Sequence, residues 1–230
     1  MAFYDLHFYE EIMLLGLKDE EGTIPFGTMY NYAVSGAFVA ELLLADRIQI
    51  DQSNKKKLVK PVNQRKFGDP LLDECLQKIF ESKKERKLQT WISEFAEMSK
   101  LKHRTARQLC RRGILRCKEK DVLLVFKKKV YPEINPEPER KLIRRLEDAI
   151  FTDKKEIDMH TVVIISLAHH TGLLEVNFDK KRLKERKKRI NKITNGEIVG
   201  NVTREAIQAM QAAITAATTA ATIAATAANT

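Results

Sequence analysis

The chain has 230 residues, 43% of them hydrophobic and 31% charged, with a formal net charge of +10 from 41 basic and 31 acidic side chains. That balance is globular rather than disordered, and the length suffices to bury a sizeable core. There is no run of about 18 uncharged apolar residues to span a bilayer, and three cysteines without paired spacing (Cys75, Cys110, Cys117) suggest reduced cytosolic thiols, with neither a disulfide framework nor a zinc site.

The N-terminus lacks the basic-then-apolar plan of a signal peptide. In chain order, Leu6 to Leu17 has apolar positions at helical spacing, with Glu10 and Glu11 read as a solvated edge. Adjacent helix residues point about 100° apart, so the two carboxylates are not expected to act as a catalytic pair. A Gly16–Gly22 turn and a short loop follow, Thr23-Ile24-Pro25-Phe26-Gly27, in which Ile24 and Phe26 have no obvious core to enter. Tyr30 to Leu44 carries one charge, Glu41, and is apolar on every face, which requires a helix covered on all sides by others. Small residues within it, Gly36 above all, let a neighbouring segment cross closely.

Arg47 to Asp51 alternates like a strand and can pair with Leu58–Val62 as a hairpin. Pro70 opens a helix over Leu71–Phe80, and a second runs from Leu88 through Ala96, with Trp91 as a core anchor. Leu101 to Arg112 is a basic helix stopped by Gly113. Two β-rich runs then suggest a hairpin around Val122–Tyr131, apolar at Val122, Leu124 and Phe126. Beyond a Pro-rich linker come a helix over Glu139–Ile150 and a second strongly apolar segment, Met159–His170, read as a buried helix with Asp158 as N-cap. His169 and His170 at its end suit capping or core roles better than metal binding.

A basic helix over Asp179–Ile193 follows: between Lys180 and Lys192 nine basic residues face Glu185 alone. The Ala/Thr tract at the C-terminus has good helix propensity but almost nothing with which to pack, so it is expected to fray. The expected fold class is mainly α: one helical domain over residues 1–210, built around a hydrophobic central helix with short β-hairpins, then an Ala/Thr-rich tail over residues 211–230.

The sequence has no Gly-rich phosphate loop, nucleophile elbow or His-Glu-x-x-His motif, so nothing in it points to an enzyme, a cofactor or a metal. Two functions compete on these facts. A helix followed by a two-stranded wing, with excess positive charge, fits a winged-helix nucleic-acid binder. A basic patch beside an apolar loop fits a peripheral membrane protein. The Ile24–Phe26 tip favours the second.

Leu6-x-x-x-Glu10-Glu11-Ile-Met-Leu-Leu-Gly16-Leu17-Lys18-Asp19-x-Glu21-Gly22 resembles the opening signature of the Golgi phosphoprotein three family. The likeness continues, collinear, through Gly36–Ile48, Leu72–Leu76, Thr90-Trp91-Ile92, Gly113-Ile114-Leu115 and Leu167-Ala168-His169. It implies a non-enzymatic, all-helical adaptor on the cytosolic face of the Golgi that binds phosphatidylinositol 4-phosphate, holds glycosyltransferase tails and links them to the vesicle coat. It also implies self-association through the hairpin and no nucleic-acid partner. The family's headgroup pocket uses a loop Trp, an Arg in the next helix and two basic residues three apart ahead of the Gly-Ile-Leu. Here the Trp position falls at Gly27 and the Arg position near Ser35. Lys102 matches one of the basic pair, and the other falls at Ser99 or Lys100. The resemblance thus implies headgroup contacts from Lys102 and Lys100; helical spacing sets Lys100, Arg104 and Arg107 along one stripe that is expected to add to them, with Ile24, Phe26 and Gly27 forming the membrane-facing loop.

Overall fold

Phe8–Gly16 forms helix α1, and all nine of its residues are buried, Glu10 and Glu11 included. The expected solvated edge is therefore corrected: these carboxylates lie in the interior. Buried charges need charged, hydrogen-bonding partners, and each finds its own. Glu10 accepts from Arg112 at 2.7 Å and from the His7 amide at 2.9 Å. Glu11 accepts from Arg145 at 2.5 Å and contacts His160 at 3.0 Å. The angular argument survives, since the neighbours point to different helices; only the assumption of solvent fails.

The structure, a computed structural model, describes residues 6–17, 23–24, 29–51, 58–122, 126–200 and 204–227. It is mainly helical, a single domain. Helix α2 is Tyr30–Leu44, with eleven buried residues. Its lone charge, Glu41, explains itself: the carboxylate accepts the Phe8 amide N–H at 2.9 Å and the His7 Nδ1 at 2.9 Å. It thus satisfies an orphan donor at the start of α1, the favourable end of the helix dipole for an anion.

Strands β1 (Ile48–Ile50) and β2 (Leu58–Pro61) pair antiparallel as expected, with Ile48 opposite Pro61. A two-residue strand, β3 (Arg86–Lys87), adds to β2. It was not expected, because a pair of exposed cations carries no strand signal. Helix α3 (Pro70–Phe80) is N-capped by Asp69, whose carboxylate accepts from the amides of Leu71 and Leu72 and from the Tyr9 hydroxyl. Helix α4 (Leu88–Ala96) buries Trp91, as its spacing indicated.

Helix α5 (Leu101–Arg111) leads into β4 (Lys118–Val122) and β5 (Phe126–Val130). The hairpin register places Val122 opposite Phe126, so these two residues lie on different strands rather than on one as expected. Leu124 lies outside the described residues. Helices α6 (Glu137–Phe151) and α7 (Met159–His170) follow, α7 buried over Thr161–Ala168 and N-capped by Asp158. Gly36 of α2 meets Leu167 of α7: a Cβ at Gly36 would fall 2.7 Å from a Leu167 methyl.

After the single turn α8 (Leu174–Asn177), the expected long basic helix is two helices, α9 (Lys180–Glu185) and α10 (Lys187–Thr194), broken at Arg186. Arg186 leaves the helix to donate to the Phe151 carbonyl at 2.5 Å and to Asp153 at 3.1 Å. Arg189 donates to the Ala149 and Lys154 carbonyls at 2.7 and 2.8 Å. Two arginines thereby satisfy the orphan carbonyls that end α6.

The C-terminal tract is the clearest difference from expectation. Arg204–Ala227 is one helix, α11, and it does not hang free. Met210, Ala213, Ile214, Ala217, Ala220 and Ala221 are buried against α2, α4 and α7. The same hypothetical Cβ on Gly36 would lie 3.0 Å from the Ala217 Cβ. Alanine that looked too small to pack is what a glycine-containing groove requires, because close backbone approach replaces side-chain bulk.

Candidate cationic headgroup site

Helix α5 buries one face, Leu101, Thr105, Ala106 and Leu109, and turns its cations away from the core. Tyr30 anchors it: its hydroxyl pairs with Thr105 Oγ1 at 2.7 Å and reaches the Met13 sulfur of α1 at 2.8 Å. Thr105 in turn donates to the Lys102 carbonyl at 2.9 Å. At the far end, the Arg112–Glu10 pair holds the helix to α1. The start of α5 is thus fixed beside the start of α2.

Lys100 is the N-cap of α5 and has φ of 55°, in the left-handed region that costs an ordinary side chain roughly 1–2 kcal/mol. A strained lysine at the positive end of a helix dipole repels its own surroundings and suits an anion. Lys102 follows, half-buried, and Arg107 is exposed one and a half turns on.

His103 reports how crowded this charge is. Its ring bonds the Tyr131 hydroxyl at 2.8 Å, tying the foot of the β4–β5 hairpin to α5. Burial pushes the His103 pKa below 6.5, and Lys102, Lys129, Lys100 and Arg107 push it further in the same direction. Lys129, on β5, therefore joins the cluster. Sequence reasoning missed it, since a Lys127–Lys129 run does not say which residue the hairpin register turns toward α5. The one available signal is the alternation of the strand itself.

Arg104 does not join. It pairs with Glu74 of α3, so it is spent on holding α3 to α5. Ile24 is half-buried and packs against the core, which corrects its expected place at an exposed tip. Phe26 and Gly27 lie outside the described residues. Ser35, where the resemblance calls for a headgroup Arg, is fully buried and donates to the Asn31 carbonyl at 2.7 Å. His170 Nδ1 bonds the Ser166 carbonyl at 2.7 Å, a C-terminal capping role for α7.

Among the described residues, no group of three or more His, Cys, Asp or Glu is placed to hold a metal ion. Nor is any helix among them long and apolar enough to cross a membrane.

The fold is thus a single, mainly helical domain with short antiparallel strands. The chain belongs to the Golgi phosphoprotein 3 (GPP34) family, which matches residues 8–210. It is similar to vacuolar protein sorting-associated protein 74 of Eremothecium gossypii, with 25% identity over 198 residues. That match covers 72% of this chain and 59% of the relative, so the chain spans less than two thirds of the relative's length.

His103 should titrate with a midpoint below 6.5, followed by NMR of its ring protons. Lys102→Ala should move the midpoint upward, because one repelling cation is gone. A water-soluble inositol phosphate should move it up further, because anions favour the imidazolium. A midpoint above 6.5 in the unliganded protein, or no response to either change, would contradict the cluster.

Proposed function

We propose that the protein is a peripheral membrane adaptor that binds anionic lipid headgroups, phosphatidylinositol 4-phosphate foremost, through the start of α5 and the foot of β5. What supports this reading is the His103–Tyr131 bond that ties the hairpin foot to α5, together with the lowering of the His103 pKa, after burial, by Lys102, Lys129, Lys100 and Arg107. Membership of a Golgi phosphoprotein family and likeness to a vacuolar sorting protein support a place in Golgi trafficking. In a eukaryotic cell that place is the cytosolic face of the Golgi. Glycosyltransferase cytosolic tails and coat proteins are the partners this reading adds. No catalytic step enters it.

The Ile24–Gly27 loop supplies the apolar share of binding in this proposal, with Phe26 as the inserting side chain. Ile24, packed on the core, anchors the loop from below. Electrostatic and apolar shares separate experimentally by salt, which screens only the first.

In vesicle sedimentation, Lys102→Glu should weaken binding to phosphatidylinositol 4-phosphate vesicles by about thirtyfold, at roughly 1 kcal/mol for each of the two charge units changed. Binding to neutral vesicles should not change. Phe26→Ala should cost up to roughly 1.5–3 kcal/mol that added salt does not alter. Parent-like binding by both variants would overturn this site. A salt-dependent shift of duplex DNA by the parent, abolished by Lys102→Glu, would instead favour the helix-and-wing nucleic-acid reading.

The hairpin is proposed to mediate self-association, since β4 and β5 pair with each other and make little contact with the other elements. Replacing Val122, Leu124 and Phe126 with Ser should lower the apparent mass in light scattering and leave the helical circular dichroism intact. An unchanged oligomeric mass would refute the role.

A further inference from the structure

The α9–α10 unit sorts its cations by type. Its three arginines lie against the end of α6, Arg186 and Arg189 half-buried and Arg182 along the exposed edge. Arg182 lies over the Phe151 ring, 4.2 Å from its centre, and reaches Glu147 at 3.9 Å; Arg186 and Arg189 hold the carbonyls and Asp153 described above. Glu147 and Asp153 are thereby matched to guanidinium groups. The apolar residues of the unit, Leu183, Ile190 and Ile193, are buried in the domain. The outer face is dominated by lysine: Lys180, Lys181, Lys184, Lys187, Lys188 and Lys192 are all exposed, against the one carboxylate of Glu185, and none of the six has an ion-pair partner among the described residues.

We infer that this lysine face is a second, non-selective docking surface for an acidic bilayer, separate from the headgroup site on α5. The inference rests on the membrane reading above and extends it to a part of the chain that reading does not use. Three observations favour a bilayer as the occupant. Lysine ammonium groups are flexible point charges, suited to a fluid layer of mobile anions; the planar forks that would recognise one phosphate bidentately are already engaged. The segment Lys180–Lys192 contains no aromatic residue, so it offers no stacking platform for bases. Position also agrees. The Met29 amide donates to the Thr171 carbonyl, so α7 ends where α2 begins, which is where Tyr30 holds the first turns of α5. Helix α10 packs on α7, and Lys187 helps lower the His169 pKa at that same end, after burial and His170. Lys187 and the start of α5 therefore lie toward one end of the bundle, where a single bilayer can meet both.

Because the apolar side of α9–α10 is used on the domain, this surface does not insert. Its binding is electrostatic, proportional to surface charge and indifferent to headgroup identity.

The test uses the full chain and sedimentation with phosphatidylcholine vesicles carrying phosphatidylserine, phosphatidylinositol 4-phosphate at matched charge, or no acidic lipid. The variant combines Lys181→Gln, Lys184→Gln, Lys187→Gln and Lys188→Gln. It should melt like the parent, since these side chains hold nothing in the fold. Its partitioning onto phosphatidylserine vesicles should fall on the order of 600-fold, from about fivefold for each of the four lysines. Its preference for phosphatidylinositol 4-phosphate over phosphatidylserine should persist. Parent-like binding to phosphatidylserine by the variant overturns the inference alone. So does a parent that binds phosphatidylinositol 4-phosphate but not phosphatidylserine, or loss of duplex-DNA binding with vesicle binding unchanged. A parent that binds no acidic vesicle overturns the membrane reading itself.

Discussion

Two adjacent carboxylates inside a fully buried helix are the constraint on which the rest of this fold depends. Helix α1 has no exposed face, so Glu10 and Glu11 cannot be left to solvent, and an unpartnered buried charge costs several kcal/mol. Each therefore selects partners on other helices. Glu10 takes Arg112 at the end of α5, while Glu11 takes Arg145 of α6 and His160 of α7. Glu41 closes the set from α2 by capping the first turn of α1. Four helices are oriented about α1 by polar contacts, and apolar packing fills the space between them.

That arrangement has a functional consequence. Because Arg112 is drawn inward at one end of α5 and Tyr30 holds Thr105 nearer the other, the helix cannot rotate about its axis. Lys100, Lys102 and Arg107 are then held on the outside, and the hairpin foot brings Lys129 to them through the His103–Tyr131 bond. A cation cluster costs stability by mutual repulsion, and it persists where the surrounding structure over-determines it. The left-handed lysine at the N-cap of α5 is one local sign of that cost. The arginines of α9 and α10 show the opposite use of positive charge, as glue at the end of α6.

Much of the fold was legible in the sequence. Tyr30–Leu44 and Met159–His170 are apolar on every side, which allows only burial, and Gly36 marked the close crossing between them. Three helix limits, the starts of α3 and α7 and the end of α5, followed from Pro70, Asp158 and Gly113. What escaped was everything whose meaning lies in a distant partner. Glu10 and Glu11 look like surface residues until Arg112, Arg145 and His160 are placed, more than 100 positions away in each case. The Ala/Thr tract reads as a tail because its complement, the small-residue groove at Gly36, is remote in sequence. Of the expected site residues, Lys100, Lys102 and Arg107 all act electrostatically on His103. Arg104 is diverted by Glu74, a pairing that helical spacing on α5 alone cannot reveal.

The central claim is that the α1 carboxylates hold the surrounding helices in place through direct charge pairing. A double-mutant cycle on Glu11→Gln and Arg145→Met, read by chemical denaturation, measures that coupling without counting the separate costs of each change. The account requires a favourable coupling of about 1–3 kcal/mol, in the range found for contacting charged partners. A coupling indistinguishable from zero, with both single variants as stable as the parent, would contradict it.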